Sequence, residues 1–355
     1  MTPSPSSGPN SPDLTQPLTV GNAVNVGFRL YGAKIKPYLW LATRSTLWIL
    51  LPFLLAIALG LFYATTQRYF TTLGLVIPAW IVLMVFCSAR SYSLSAAIAR
   101  LGFGELTQQP ESLEAACRYT RARQWRFLWV YVLLFLLGVA VTLLFYIVAA
   151  VVVVLMLIFV GGTDFLLNPQ SAALVNPGLI ILAFLVFLGI VGLLVWMLTW
   201  FSIRFSVPDL PLAVEPGLTA AQSLGRSWEL THKNVGRIFL ILLVTWIATI
   251  PLQFVIQIVL SLAQEAIVRI YPENSPLYGL LTFGSSFLIS LLLGIFTLPL
   301  WQLIKATIYY DLRRRREGLG LQLTDPELSD SDFGSRDFGS RDFGSMDIQD
   351  SDPPR

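Results

Sequence analysis

The chain has 355 residues, of which 55% are hydrophobic and only 13% charged, with a net charge of +3. An ordinary soluble domain carries roughly 25% charged residues, so this composition excludes a water-soluble globular protein. Two cysteines, Cys87 and Cys117, and one histidine, His232, leave too few ligands for a disulfide scaffold or a His/Cys-rich metal centre.

Residues 1–17 are rich in Pro and Ser and lack the basic start and apolar core of a signal peptide, so they read as a disordered leader. A membrane domain is expected over 18–323. It holds six apolar runs: Ser45–Tyr63, Thr71–Ala89, Phe127–Val160, Gly178–Ile203, Ile238–Ala263 and Leu281–Ile304. Crossing the hydrocarbon core takes about 20 apolar residues as a helix. None of the six runs contains Asp, Glu, Lys, Arg or His, and none alternates as a barrel strand would, so each predicts a transmembrane α-helix. The third run spans 34 residues, about 51 Å as a helix against a core of about 30 Å. It should tilt, break or project, with Gly161–Gly162 as a stop and the following "TDFLLNPQSAALVNPG" as a small cap. Beyond the last run, residues 324–355 are acidic and repeat "DFGS" from Asp332, Asp337 and Asp342, which predicts a disordered tail. Without kinase catalytic and Gly-rich loops, that triplet is only low-complexity sequence.

The cations divide unevenly. Of 24 Lys and Arg, 22 fall before the first run, in the two long loops at 90–126 and 204–237, or after the last run. Only Arg68 and Arg269 fall in the alternate loops. The positive-inside rule then places both termini in the cytoplasm. Arg313, Arg314, Arg315 and Arg316 follow the last run directly and are expected to sit among anionic lipid headgroups.

The stretches before the first, third and fifth runs resemble one another. One ungapped register pairs Ala23, Ala115 and Ala220, and also Arg29, Arg121 and Arg226. Pro17, Pro110 and Pro216 precede the three stretches. The expected fold is all-α: six spans as three parallel-repeat hairpins (about 18–100, 110–210 and 216–315), each preceded by a cytoplasmic amphipathic helix. In the third stretch Leu218, Ala221, Leu224 and Trp228 share one helical face, and Glu229 is placed to pair with Lys233.

The closing "YYDLRRRREGLGL" resembles the end of a bacterial integral-membrane family with the pattern Tyr-Tyr-Asp-Leu-Arg-x-Arg-x-Glu-Gly-Leu-Asp-Leu. Tyr309, Tyr310, Asp311, Leu312, Arg313, Arg315, Glu317, Gly318, Leu319 and Leu321 match it, and Gly320 departs. The resemblance covers about residues 18–323. That family includes the membrane domain of glycerophosphodiester phosphodiesterases and many stand-alone members without an assigned activity. In the fused members, the chemistry belongs to a separate barrel domain with metal-binding carboxylates and histidines. The resemblance therefore implies a bacterial cytoplasmic membrane protein and carries no phosphodiesterase activity to this chain.

No Walker loop, zinc-protease motif or G-x-S-x-G elbow occurs, so no catalytic residue, cofactor or metal is expected. Gln253, Gln257 and Gln302 are the main polar side chains in the spans. Gln253 and Gln257, one turn apart, are the candidate lining of a polar path or a tie between helices. The expected partners are membrane lipids, through anionic headgroups at Arg29, Arg121, Arg226 and Arg313–Arg316, and other membrane proteins. Nucleic acid is not an expected partner. Organisation of lipid or proteins is the leading reading, and transport of a small or amphiphilic solute is the alternative.

Overall fold

The computed structural model describes residues 18–66, 73–167, 177–272 and 275–317. The expected leader, the segment 168–176 of the expected cap, Arg68, and the acidic tail with its DFGS repeats lie outside the described residues. Within them are ten helices and no strand: α1 (Val20–Ala33), α2 (Ile35–Thr66), α3 (Leu73–Leu106), α4 (Leu113–Ala122), α5 (Gln124–Leu167), α6 (Pro177–Arg204), α7 (Asp209–Val214), α8 (Ala220–Thr231), α9 (Val235–Ile270) and α10 (Pro276–Glu317). Six of these, α2, α3, α5, α6, α9 and α10, are long and apolar enough to cross a membrane.

Three shorter helices begin with the same device. Thr19, Ser112 and Thr219 cap α1, α4 and α8, and each side chain accepts the backbone N–H three residues on. That satisfies one of the donors a helix start leaves free. In α8 the Gln222 side chain returns a bond to the Thr219 N–H, completing a capping box. Small residues lie buried four and eight places after each cap: Ala23 and Gly27, Ala116 and Thr120, Ser223 and Ser227. Counted from the caps, Arg29 is the tenth residue, Arg121 the ninth and Arg226 the seventh, so these three arginines do not occupy one helical position.

The long helices extend past the apolar runs. α2 starts at Ile35, α3 continues to Leu106, and α10 continues to Glu317. These extensions all lie at the end of the bundle that carries the cations, here called the basic end, and the core is there. One buried cluster joins Val26, Phe103, Ile238, Ile304 and Tyr309 across α1, α3, α9 and α10. A second joins Tyr38, Leu41, Ile98 and Leu303, and a third joins Phe127, Val130 and Leu212. Two glycines permit the closest approaches. A Cβ on Gly27 would strike the Ile304 side chain, and one on Gly102 would strike that of Leu303. The most apolar stretches of α5 and α6, by contrast, contain no buried residue.

The third apolar run does not stop at Gly161–Gly162. α5 is one helix of 44 residues through both glycines to Leu167, about 66 Å long. In an apolar medium an unpaired backbone group costs more than the conformational entropy of glycine, so the helix persists. The expected cap therefore loses its first five residues to α5. Pro52, Pro78, Pro251 and Pro299 are likewise held inside helices.

Polar side chains tie the spans laterally. Ser45 meets Ser91 at 2.7 Å between α2 and α3. The Trp80 indole N–H donates to the Pro52 carbonyl at 2.8 Å. Gln302 donates to Ser95 Oγ at 2.5 Å between α10 and α3, and Gln264 to Ser286 Oγ at 3.1 Å between α9 and α10.

Candidate functional site

The basic end is built around two buried carboxylates. Asp209, the first residue of α7, is 1% exposed. Its Oδ2 lies 3.2 Å from Lys305 Nζ on α10 and accepts the Tyr131 hydroxyl at 3.3 Å from α5. Asp311, 3% exposed on α10, accepts the Leu18 N–H at 3.1 Å on Oδ1. Its Oδ2 faces Arg237 at 3.1 Å and Arg315 at 3.0 Å. Arg315 also donates to the Leu18 carbonyl at 3.4 Å. The start of the described chain, the start of α9 and the end of α10 are thus clamped on one carboxylate.

Glu215, just after α7, is a third junction. It accepts the Tyr309 hydroxyl at 2.5 Å and lies 3.7 Å from Arg226. Its backbone carbonyl accepts Arg123 at 3.1 Å and Tyr119 at 3.3 Å. Arg100 is ion-paired to Glu111, donates to the Ala213 carbonyl at 2.6 Å, and stacks on Tyr119 with its guanidinium carbon 3.8 Å from the ring centre. A polar cavity of about 140 Å³ lies beside this junction, between Arg100, Phe103, Thr107, Gln109 and Val214. Arg204 takes no carboxylate among the described residues. It is buried between Trp200 and Trp228, 5.0 and 4.3 Å from the two ring centres.

The expected site residues have different fates. Arg226 pairs with Glu215 and, at 3.6 Å, with Glu229. Arg316 reaches Glu229 at 3.8 Å, so Glu229 serves these two arginines rather than Lys233. Arg313 lies over Tyr309 at 5.9 Å, and Arg314 sits within electrostatic reach of Tyr310 and Asp311. Arg315 belongs to the Asp311 clamp. Arg29 and Arg121 are exposed and form no ion pair among the described residues. Gln253 and Gln257 are exposed on α9. The fully buried face of α8 is Ser223, Ser227, Leu230 and Thr231, while Trp228 of the expected apolar face is 38% exposed. Two of those hydroxyls satisfy a helix end: Ser227 and Thr231 donate to the Arg204 carbonyl at 3.1 and 3.2 Å.

His232 is exposed at the end of α8, and among the described residues no three His, Cys, Asp or Glu side chains gather to hold a metal ion. Cys117 is half-buried on α4. Burial raises its thiol pKa, while the positive charges of Arg44 and Arg90 oppose that rise. Burial likewise raises Tyr31, whose hydroxyl donates to the Phe296 carbonyl at 3.2 Å.

The sequence reading passed over Asp209, Glu215, Arg237, Lys305, Arg44 and Arg90. For Asp209 a signal was present. A single acid inside "VPDLPLAV" must find a cation if that apolar stretch is buried. Comparison with protein-family models, with curated proteins and with solved structures gives no match.

Proposed function

We propose that this chain is a non-catalytic protein of the bacterial cytoplasmic membrane that gathers anionic lipid, and with it partner membrane proteins, around its cytoplasmic end. One observation carries the reading. Most carboxylates of the basic end, the exposed Glu114 excepted, are taken up by internal pairs such as Asp209–Lys305 and Arg100–Glu111. Arg29, Arg44, Arg90, Arg118 and Arg121 are left with no carboxylate partner among the described residues. Unpaired cations at a membrane edge attract anionic headgroups by about 1 kcal/mol each.

The same reading takes the basic end as cytoplasmic, from the 22-to-2 division of cations. It takes the chain as a member of the family that its closing motif resembles. It also takes the fold as three parallel units, each an interfacial helix leading into a hairpin. The order α1–α2–α3, α4–α5–α6, α8–α9–α10 and the matching caps at Thr19, Ser112 and Thr219 support that reading. In this register Arg29 and Arg121 are separate headgroup contacts rather than copies of one another, while Arg226 is taken up by Glu215 and Glu229.

Solute transport gains no support from Gln253 and Gln257, since both lie on the exposed side of α9. The test is the lipid that accompanies the full chain from native membrane in mild detergent. Anionic lipid should be enriched over the bulk membrane ratio. A ratio equal to bulk overturns the proposal.

A further inference from the structure

Three of the unpaired arginines converge from three elements. Arg44 lies on α2, Arg90 on α3 and Arg121 on α4. Arg44 and Arg121 both act electrostatically on the Arg90 guanidinium, and Arg44 and Arg90 both act on the Cys117 thiol. Like charges repel, and here no carboxylate among the described residues relieves them. Arg44 lies over the Trp40 ring, its guanidinium carbon 4.5 Å from the ring centre. An anion that joins such a cluster relieves the repulsion and gains charge-assisted hydrogen bonds.

Each arginine stands four residues to the basic side of an aromatic residue: Arg44 before Trp48, Arg121 before Trp125, and Arg90 after Phe86. Those aromatics touch one another. Trp48 meets Phe86 with ring centres 6.0 Å apart, and Phe86 meets Trp125 at 6.5 Å. Aromatic rings and arginines stacked in two layers match the depth order of a membrane interface. Directly beyond the aromatic layer runs an open apolar groove of about 500 Å³, bounded by Ala79, Val82, Val85, Phe86 and Trp125. Its volume falls within the range of ligand pockets, roughly 300–1,000 Å³. Val82 is 69% exposed along it.

We infer that Arg44, Arg90 and Arg121 hold the phosphate of one anionic glycerophospholipid whose acyl chain lies in the groove along α3. The occupant is fixed by the order of the layers: charge at the basic edge, aromatics next, hydrocarbon beyond. A free phosphate would use the arginines and leave the groove empty. This inference rests on the proposed function and narrows it to one site.

The test uses the full chain in mild detergent and reads bound lipid by native mass spectrometry. Phosphatidylglycerol, phosphatidylcholine and glycerol 3-phosphate are the added probes. Phosphatidylglycerol should bind, and the triple variant Arg44→Gln, Arg90→Gln, Arg121→Gln should weaken it by about a hundredfold. Val82→Trp, which fills the groove and leaves the arginines in place, should also weaken it. Arg269→Gln, at the opposite end of the bundle and paired with Glu265, should not. Unchanged phosphatidylglycerol binding in both site variants overturns the inference while leaving a general attraction to anionic lipid standing. Equal displacement by glycerol 3-phosphate overturns the groove's role. Absence of anionic lipid from the unaltered protein removes both this site and the broader function.

Discussion

At the scale of single residues, the Asp209–Lys305 pair makes the sharpest demand. Asp209 is almost wholly buried and Lys305 mostly so. Removing one partner leaves the other charge in a poorly solvated place. Asp209→Ala should therefore lower stability by about 3 kcal/mol, whereas the double change Asp209→Asn, Lys305→Met should cost much less. Thermal unfolding in one detergent, with all variants side by side, checks the difference; equal losses would show that the pair is not the cause. Cys117 gives a pH prediction. The reactive form is the thiolate, and its raised pKa makes that form scarce at neutral pH. Maleimide labelling should be slower than for a free thiol at pH 7 and should accelerate as pH rises through the shifted pKa. Arg44→Gln with Arg90→Gln removes the charges that oppose the shift, so labelling at fixed pH should slow further.

At the scale of elements, contacts with α10 decide much of the packing. Gly27→Val should destabilise by about 1–3 kcal/mol, because α1 cannot approach Ile304 with a branched side chain between them. Gly21→Ala, on the same helix with open space around it, should be neutral or stabilising by up to about 1 kcal/mol. Protease resistance of the purified protein separates the two. The spans were legible in the sequence because a bilayer demands long uninterrupted apolar runs, and the described part of each of the six lies within a long helix. Their true ends were not, because Ile35 to Arg44 and Arg90 to Leu106 are held helical by packing against other elements rather than by lipid. For the same reason the buried face of α8 was not legible. The Ser227 and Thr231 hydroxyls are buried because they satisfy the Arg204 carbonyl, and that of Ser223 because it satisfies the Pro208 carbonyl, partners that no periodicity in the sequence reveals. Arg121 was visible as an expected headgroup contact, but its neighbours Arg44 and Arg90 come from separate helices and could be joined to it only in three dimensions.

At the scale of the whole molecule, the charge division makes a topological prediction. Reporters fused after residue 110 and after residue 316 should lie on the same side of the membrane, and one inserted at residue 272 on the other. A split between the first two would remove the basis for the cytoplasmic assignment. The location of the core has a further effect. The buried clusters lie at the basic end, while the most apolar stretches of α5 and α6 have no buried residue. The spread of those far segments is therefore governed by the bilayer rather than by the polypeptide. A thicker or stiffer membrane should draw them together and a thinner one let them lean apart, with the clamped end as fulcrum. Strain in one leaflet would then register as a change of angle in helices anchored at the other.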